Sequence, residues 1–261
     1  MKSGIFYFSG AGNSEAVAKE IGKLSDAHIV KRMNDTTKED VEGLTQVGLV
    51  FPVYYFAPPT RIISFIELLL KNNIPSTIDY LYVIMTHGGM SSYGPSITER
   101  LLEENGYVAS YTHTIKMVDT FIPITKIPSK QKQDVVSKLA YEKVLSIVQD
   151  IKNNEIKVAP RLPLSNMAYH LFRRISTWRY DYDKKFVVDN RCTSCGICVQ
   201  KCPVENIILA GNSIEYLHHC EQCLACIHHC PTHAITFKKK PLRGYTYYKG
   251  PTYFTKRKDE Q

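Results

Sequence analysis

The chain has 261 residues, 44% hydrophobic and 22% charged, with a formal net charge of +8. That balance excludes a disordered or collagen-like chain. No stretch reaches the roughly 20 apolar residues of a membrane span, and the run from Ile5 to Phe8 is far short of a secretory apolar core. A cytosolic protein without a membrane span is expected.

Residues 2–8 read as a buried strand. Ser9-Gly10-Ala11-Gly12-Asn13-Ser14 follows, then a helix over 14–24. A Gly-rich turn between strand and helix is an anion site, because backbone N–H groups converge there and the helix N-terminus is positive. A dinucleotide fingerprint needs a third glycine where Glu15 stands. The second strand ends in Lys31 and Arg32 rather than an acid for a ribose. A P-loop needs Gly-Lys-Ser/Thr, which is absent. What remains suits a single phosphate monoester. Further strands are expected over 28–32, 46–53, 80–86 and 107–117, and helices over 60–71, 94–105 and 129–152. Ser129 is the N-cap of the last. Its apolar face reads Val136, Leu139, Ala140, Val144, Ile147, Val148 and Ile151. Strands alternating with helices predict an α/β fold, a doubly wound parallel sheet covered on both faces.

The loop and the strand–helix order resemble flavodoxins. In the flavodoxin order 2-1-3-4-5 the ligand lies where the strand order reverses, beside the first and third strands. The resemblance implies FMN, held by Ser9, Gly10, Ala11, Gly12, Asn13 and Ser14 at its phosphate. Pro52, Val53, Tyr54, Tyr55 and Phe56 after the third strand would lie against the ring, as would Thr86, His87, Gly88, Gly89 and Tyr93 after the fourth. Relatives usually carry Thr or Ser where this chain has Ala11. His87 is the one candidate for proton transfer beside the flavin; a purely structural histidine is the competing reading.

Residues 153–163 read as a linker, with Asn153, Asn154, Pro160 and Pro163. Leu164, Met167, Ala168, Leu171, Phe172, Ile175 and Trp178 then fall on one face of a helix. That helix is expected to pack between two domains.

All eight cysteines follow residue 190. They form two runs of C-x2-C-x2-C-x3-C, each ending in Cys-Pro: Cys192, Cys195, Cys198, Cys202 and Cys220, Cys223, Cys226, Cys230. Disulfides do not suit a cytosolic chain, and zinc favours two separated pairs. Three closely spaced thiolates can wrap one face of a cubane, whose fourth iron needs a thiolate from elsewhere. Residues 184–238 resemble the bacterial two-[4Fe-4S] ferredoxin, a small α+β domain. That resemblance implies crossed ligation. One cluster would take Cys192, Cys195, Cys198 and Cys230, the other Cys220, Cys223, Cys226 and Cys202. Relatives often carry Gly where this chain has His233.

The charge excess is local. Residues 1–158 hold 17 basic and 17 acidic residues, whereas residues 238–261 hold 8 and 2. The expected organisation is a flavodoxin-like domain over 1–155, a linker with a bridging helix over 156–183, a ferredoxin domain over 184–238, and a basic aromatic tail over 239–261. The tail could bind nucleic acid, lipid or an acidic partner; the favoured reading is that its aromatics pack back on the body. The whole resembles the flavodoxin–ferredoxin fusions of anaerobes. It implies a redox protein passing electrons between clusters and FMN, with a redox partner protein and a small-molecule substrate. The alternatives are a carrier with no substrate, or an accessory module of a larger complex.

Overall fold

The structure is a computed structural model, and it describes residues 2–71, 78–237 and 248–256. The first half alternates strand and helix: β1 (Ser3–Tyr7), α1 (Asn13–Ser25), β2 (Ile29–Arg32), the short α2 (Lys38–Val41), β3 (Gln46–Pro52), α3 (Thr60–Lys71), β4 (Tyr80–His87), α4 (Gly94–Glu104), β5 (Tyr111–Lys116) and α5 (Lys130–Lys152). The strands form one sheet in the order β2-β1-β3-β4-β5, parallel at every pairing. This is the flavodoxin order.

Burial on both faces explains the near-continuous apolar runs of β1, β3 and β4. Phe6, Leu49, Phe51, Val83 and Met85 pack with α3 and α4. Ile5, Tyr7, Val50 and Ile84 pack with α1 and α5 on the other side. Each such side chain contributes roughly 1.5–3 kcal/mol on burial. Gly48 leaves room for the Tyr82 ring, which a Cβ there would meet at 2.3 Å.

Two helical faces differ from the sequence pattern. On α5 the buried stripe is Ser137, Ala140, Tyr141, Val144, Ile147, Val148 and Ile151, whereas Leu139 is exposed. Leu139 points away from that stripe, and Tyr141, which flanks it, is covered by the C-terminal segment. The bridging helix is α6 (Ser165–Ile175). It does not sit between the two halves by its leucine face. Tyr169 and Phe172 join the core beside Leu102 and Tyr107, while Leu164, Met167 and Leu171 face solvent. The side chains of Ile175 and Trp178 lie outside the described residues.

The second half comprises β6 (Phe186–Val188), α7 (Ile197–Lys201), β7 (Ile207–Ala210), β8 (Ser213–Tyr216), α8 (Ala225–His229) and β9 (Ile235–Phe237). β6 pairs antiparallel with β9, and β7 with β8. The two cysteine runs fold alike. Left-handed residues recur at Ser194 and Gln222, Gly196 and Leu224, and Glu205 and His233. His233 therefore occupies a position at φ 55°, which glycine adopts without strain.

The last described element is α9 (Thr252–Lys256), which packs on α5. Tyr253 and Phe254 lie edge-on to the Tyr141 ring at 5.5 and 5.6 Å. Tyr248 and Phe254 are buried, so the tail aromatics do fold back at the described positions. Tyr245 and Tyr247 lie outside the described residues. Among the described residues no helix is long and apolar enough to cross a membrane.

Candidate functional site

The C-terminal edge of the sheet opens into a cavity of about 470 Å³, within the range of small-molecule and cofactor sites. Ser9, Gly10, Ala11, Asn13 and Ser14 line it after β1. Pro52, Val53, Tyr54, Tyr55 and Phe56 follow after β3, and Thr86, His87, Gly88 and Gly89 after β4. Gly12 and Tyr93 are not in its lining. Gly12 stands behind it as the left-handed N-cap of α1, at φ 98°. Tyr93 packs toward the core on the α3 side.

Sequence reasoning missed two further walls. The loop after β5 supplies Val118, Asp119, Thr120, Phe121, Ile124 and Thr125. It carries no glycine signature, yet β5 neighbours β4, so the topology alone puts it on this edge. The other wall is Gln222, Cys223 and Leu224 from the second cysteine run. No local pattern announces that docking.

No side chain caps α1. Its first N–H groups have no intrahelical acceptor and face the cavity's edge as anion donors. The Ser14 and Thr86 hydroxyls hydrogen-bond to each other at 2.8 Å, a buried tie between the first turn of α1 and the end of β4. Tyr55 and Phe56 form a tight turn at φ 51° and 66°, closed by bonds between Tyr54 and Ala57. The turn holds both rings half in solvent at the cavity mouth, and Tyr55 lies edge-on to Phe121 at 5.5 Å. His87 Nδ1 is 3.1 Å from the Gly89 carbonyl. Burial, with Lys116 nearby, lowers its pKa. His87 is thus a neutral imidazole bracing the 87–89 turn, and only Nε2 remains for proton exchange.

Two small cavities lie in the second half. Cys192, Cys195, Cys198 and Cys230 line one; Cys202, Cys220, Cys223 and Cys226 line the other. The last cysteine of each run thus stands with the first three of the other run. All eight are free cysteines. Among the described residues no three His, Cys, Asp or Glu side chains close on a point as for a single metal ion. Backbone N–H groups point at the sulfurs at equivalent places: Asn206 to Cys202 at 3.2 Å, and Ala234 to Cys230 at 3.3 Å. Gln222 N–H donates to Cys220 at 3.3 Å.

The donor chemistry suits iron. Burial pushes the Cys220 thiol up to about 12, and raises Cys223 and Cys226 as well. Such thiols become thiolates at neutral pH only against a bound cation. Tyr216 lines the second cage, with its hydroxyl buried beside Cys226 and Cys198, one thiol from each cage.

The second cage abuts the large cavity. A Cβ on Gly10 would fall 2.6 Å from Cys223 Cβ, 2.7 Å from the Cys223 carbonyl oxygen and 3.0 Å from the Tyr54 hydroxyl. Tyr54 is partly buried, and desolvation together with the Cys223 thiol raises its pKa. Glu221 locks the approach. Its buried carboxylate accepts from Thr60 N–H at 3.3 Å and Arg61 N–H at 3.0 Å, capping α3 from the other half. Glu221→Ala is expected to lose about 2 kcal/mol of stability, and Glu221→Gln, which keeps one acceptor oxygen, about half of that. Anaerobic denaturant melts of the three proteins measure both.

Residues 184–231 match the 4Fe-4S dicluster domain. That match and the strand order describe an electron-transfer protein: a flavodoxin-like layer followed by a dicluster domain that binds iron–sulfur clusters. The chain is also similar to several solved structures. A two-electron-reduced flavodoxin of Megasphaera elsdenii is 21% identical, with a TM-score of 0.38, covering 44% of this chain and 87% of its own. A flavodoxin from the domain Archaea is 14% identical, with a TM-score of 0.35, covering 57% and 99%. The rubredoxin oxygen:oxidoreductase of Desulfovibrio gigas is 12% identical, with a TM-score of 0.40, covering 59% of this chain and 36% of its own. No curated protein matches the chain. The fold assignment rests on the strand order, and the dicluster domain on the cysteine runs and the family match.

Proposed function

We propose that this chain is an internal electron wire joining two [4Fe-4S] clusters to FMN. The observation that carries the proposal is Cys223, which lines both the second cysteine cage and the large cavity. The four thiols of that cage, Cys202, Cys220, Cys223 and Cys226, would hold the inner cluster. Cys192, Cys195, Cys198 and Cys230 would hold the outer one, where Cys195 is exposed. The outer cluster is where a redox partner protein exchanges single electrons. Its exposure fits anaerobic metabolism, because oxygen attacks accessible clusters.

FMN, when bound, takes up one or two electrons and exchanges protons with its surroundings. The residues do the rest. Gly10 to Ser14 and the N-terminus of α1 hold its phosphate, the 53–56 turn and Phe121 cover its ring, and Gly88 and Gly89 approach the ring edge. Close packing of Gly10 on Cys223 would hold the two sites adjacent. On this reading the chain is an FMN-dependent oxidoreductase acting on a small molecule.

One observation favours the alternative of a carrier without a substrate. Among the described residues, His87 and Asp119 are the only histidine and carboxylate in the cavity lining. His87 is committed to Gly89, and Asp119 accepts from Phe121 N–H at 2.9 Å. Substrate-dependent flavin reoxidation separates the two readings. The proposal itself is tested by iron, sulfide and flavin analysis after anaerobic purification. About eight irons and one FMN per chain are expected. Eight irons with no flavin, even after added FMN, would overturn it.

A further inference from the structure

Residues 248–251 run directly behind the phosphate loop, with the Gly250 Cα 3.7 Å from where a Cβ on Gly12 would stand. The stretch is anchored downstream. Thr252 Oγ1 bonds to Asp134, and Tyr253 N–H donates to Ser137 Oγ at 3.2 Å, both on α5. Tyr248 is 1% exposed, among Ala11, Val118 and Ile122 of the flavodoxin-like layer and Cys226 and Ile227 of the dicluster domain.

Its polar groups close a circuit. The Tyr248 hydroxyl donates to Asn13 Oδ1 at 2.6 Å. Asn13 Nδ2 donates to the Val118 carbonyl at 3.0 Å. Tyr248 N–H donates to His228 Nδ1 at 3.2 Å, and His228 Nε2 lies 2.8 Å from the Thr120 carbonyl. The roles agree: Nδ1 accepts, so Nε2 carries the proton and donates. The circuit returns to its start through the backbone of residues 118–120.

We propose that the C-terminal segment is part of the flavin phosphate site, and that Tyr248 couples flavin binding to assembly of the iron–sulfur domain. The proposal rests on the reading that the 9–14 loop holds the FMN phosphate. Asn13 is the first residue of α1. Its backbone N–H is one of the groups offered to the anion, and Tyr248 fixes its side chain and hence its orientation. At the other end, His228 lies in α8 between Cys226 and Cys230, one thiol from each cage. Iron at both cages holds α8 in place. A domain this short lacks the core to hold α8 without its clusters. The circuit then opens, and Asn13 and the 118–120 loop lose their brace. Tyr248 is a positioning residue: it touches the loop, not the ligand. Thermodynamic linkage makes the effect mutual, so bound FMN also protects the clusters.

The test titrates FMN by flavin fluorescence into the anaerobic, iron-replete full chain and into Tyr248→Phe. The substitution keeps the ring in its apolar site and removes only the hydroxyl, and iron content reports that the dicluster domain is intact. The variant is expected to keep about eight irons and bind FMN about three- to tenfold more weakly. The second readout is iron loss to a chelator. FMN is expected to slow it in the unaltered chain, and to slow it less in Tyr248→Phe. Equal FMN affinity in the two proteins, or iron loss indifferent to FMN, overturns this proposal alone. An unaltered chain that takes up no FMN overturns the flavin reading and this proposal with it.

Discussion

Cys230→Ser is expected to damage the cluster of Cys192, Cys195 and Cys198, and to spare the one built on its nearest sequence neighbours. Cys230 is four residues from Cys226 and 38 from Cys192, yet it lines the cage of the distant run. Its sulfur is also set by the Ala234 N–H at 3.3 Å. Serine is a poor ligand for a soft iron–sulfur core. Iron should fall from about eight to about four per chain. Cys202→Ser should remove a similar amount of iron from the other cage, but with a different consequence. On the proposed reading it would disable the inner cluster and deprive the flavin of its donor while the outer cluster could still be reduced, whereas Cys230→Ser would leave the inner cluster and cut its supply from outside. Iron analysis and low-temperature EPR of the reduced proteins distinguish the two. Loss of the Cys220–Cys223–Cys226 cluster in Cys230→Ser would contradict the crossed arrangement.

Gly10→Ala should have the next largest effect, by geometry rather than chemistry. The new Cβ would lie 2.6 Å from Cys223 Cβ and 2.7 Å from the Cys223 carbonyl. Neither is the free end of a flexible side chain, so backbone must move on one side. Overpacking of this kind costs about 1–3 kcal/mol. Because the displaced pieces are the 9–14 loop and the Cys223 loop, the strain falls on the proposed flavin site itself. FMN affinity is expected to drop at least about tenfold, equivalent to roughly 1.4 kcal/mol, with iron content retained. Fluorescence titration and iron analysis on one preparation check both. Unchanged affinity would mean that the two halves do not press together at this point.

The sheet was legible because its signals are local. β1, β3 and β4 are short apolar runs bounded by turns, and the glycine turn after β1 lies where a phosphate loop should. The cysteine spacing is likewise carried by a few adjacent residues. What escaped depends on contacts far apart in the chain. Leu139 lies on the far side of α5 from the Ala140, Val144 and Val148 stripe, which the 3.6-residue period already implies, whereas Tyr141 flanks that stripe and is covered by the returning C-terminal segment. On α6 the leucine-rich face looked buried, but α4 offers its surface to Tyr169 and Phe172. The 118–125 loop has no motif of its own. Glu221 on α3, His228 on Thr120 and Tyr248 on Asn13 join residues more than 100 apart. These same pairs bring the dicluster domain against the cavity. His233 is the intermediate case: its departure from glycine was readable, and the left-handed backbone that makes the position unusual was not.

The central claim is that electrons cross between the clusters and FMN within one chain. Anaerobic rapid mixing with a one-electron donor tests it most directly, following cluster bleaching and flavin reduction separately. The account predicts that the clusters bleach first and the flavin follows at a rate independent of protein concentration. Flavin reduction that scales with protein concentration, or that needs an added mediator, would contradict it.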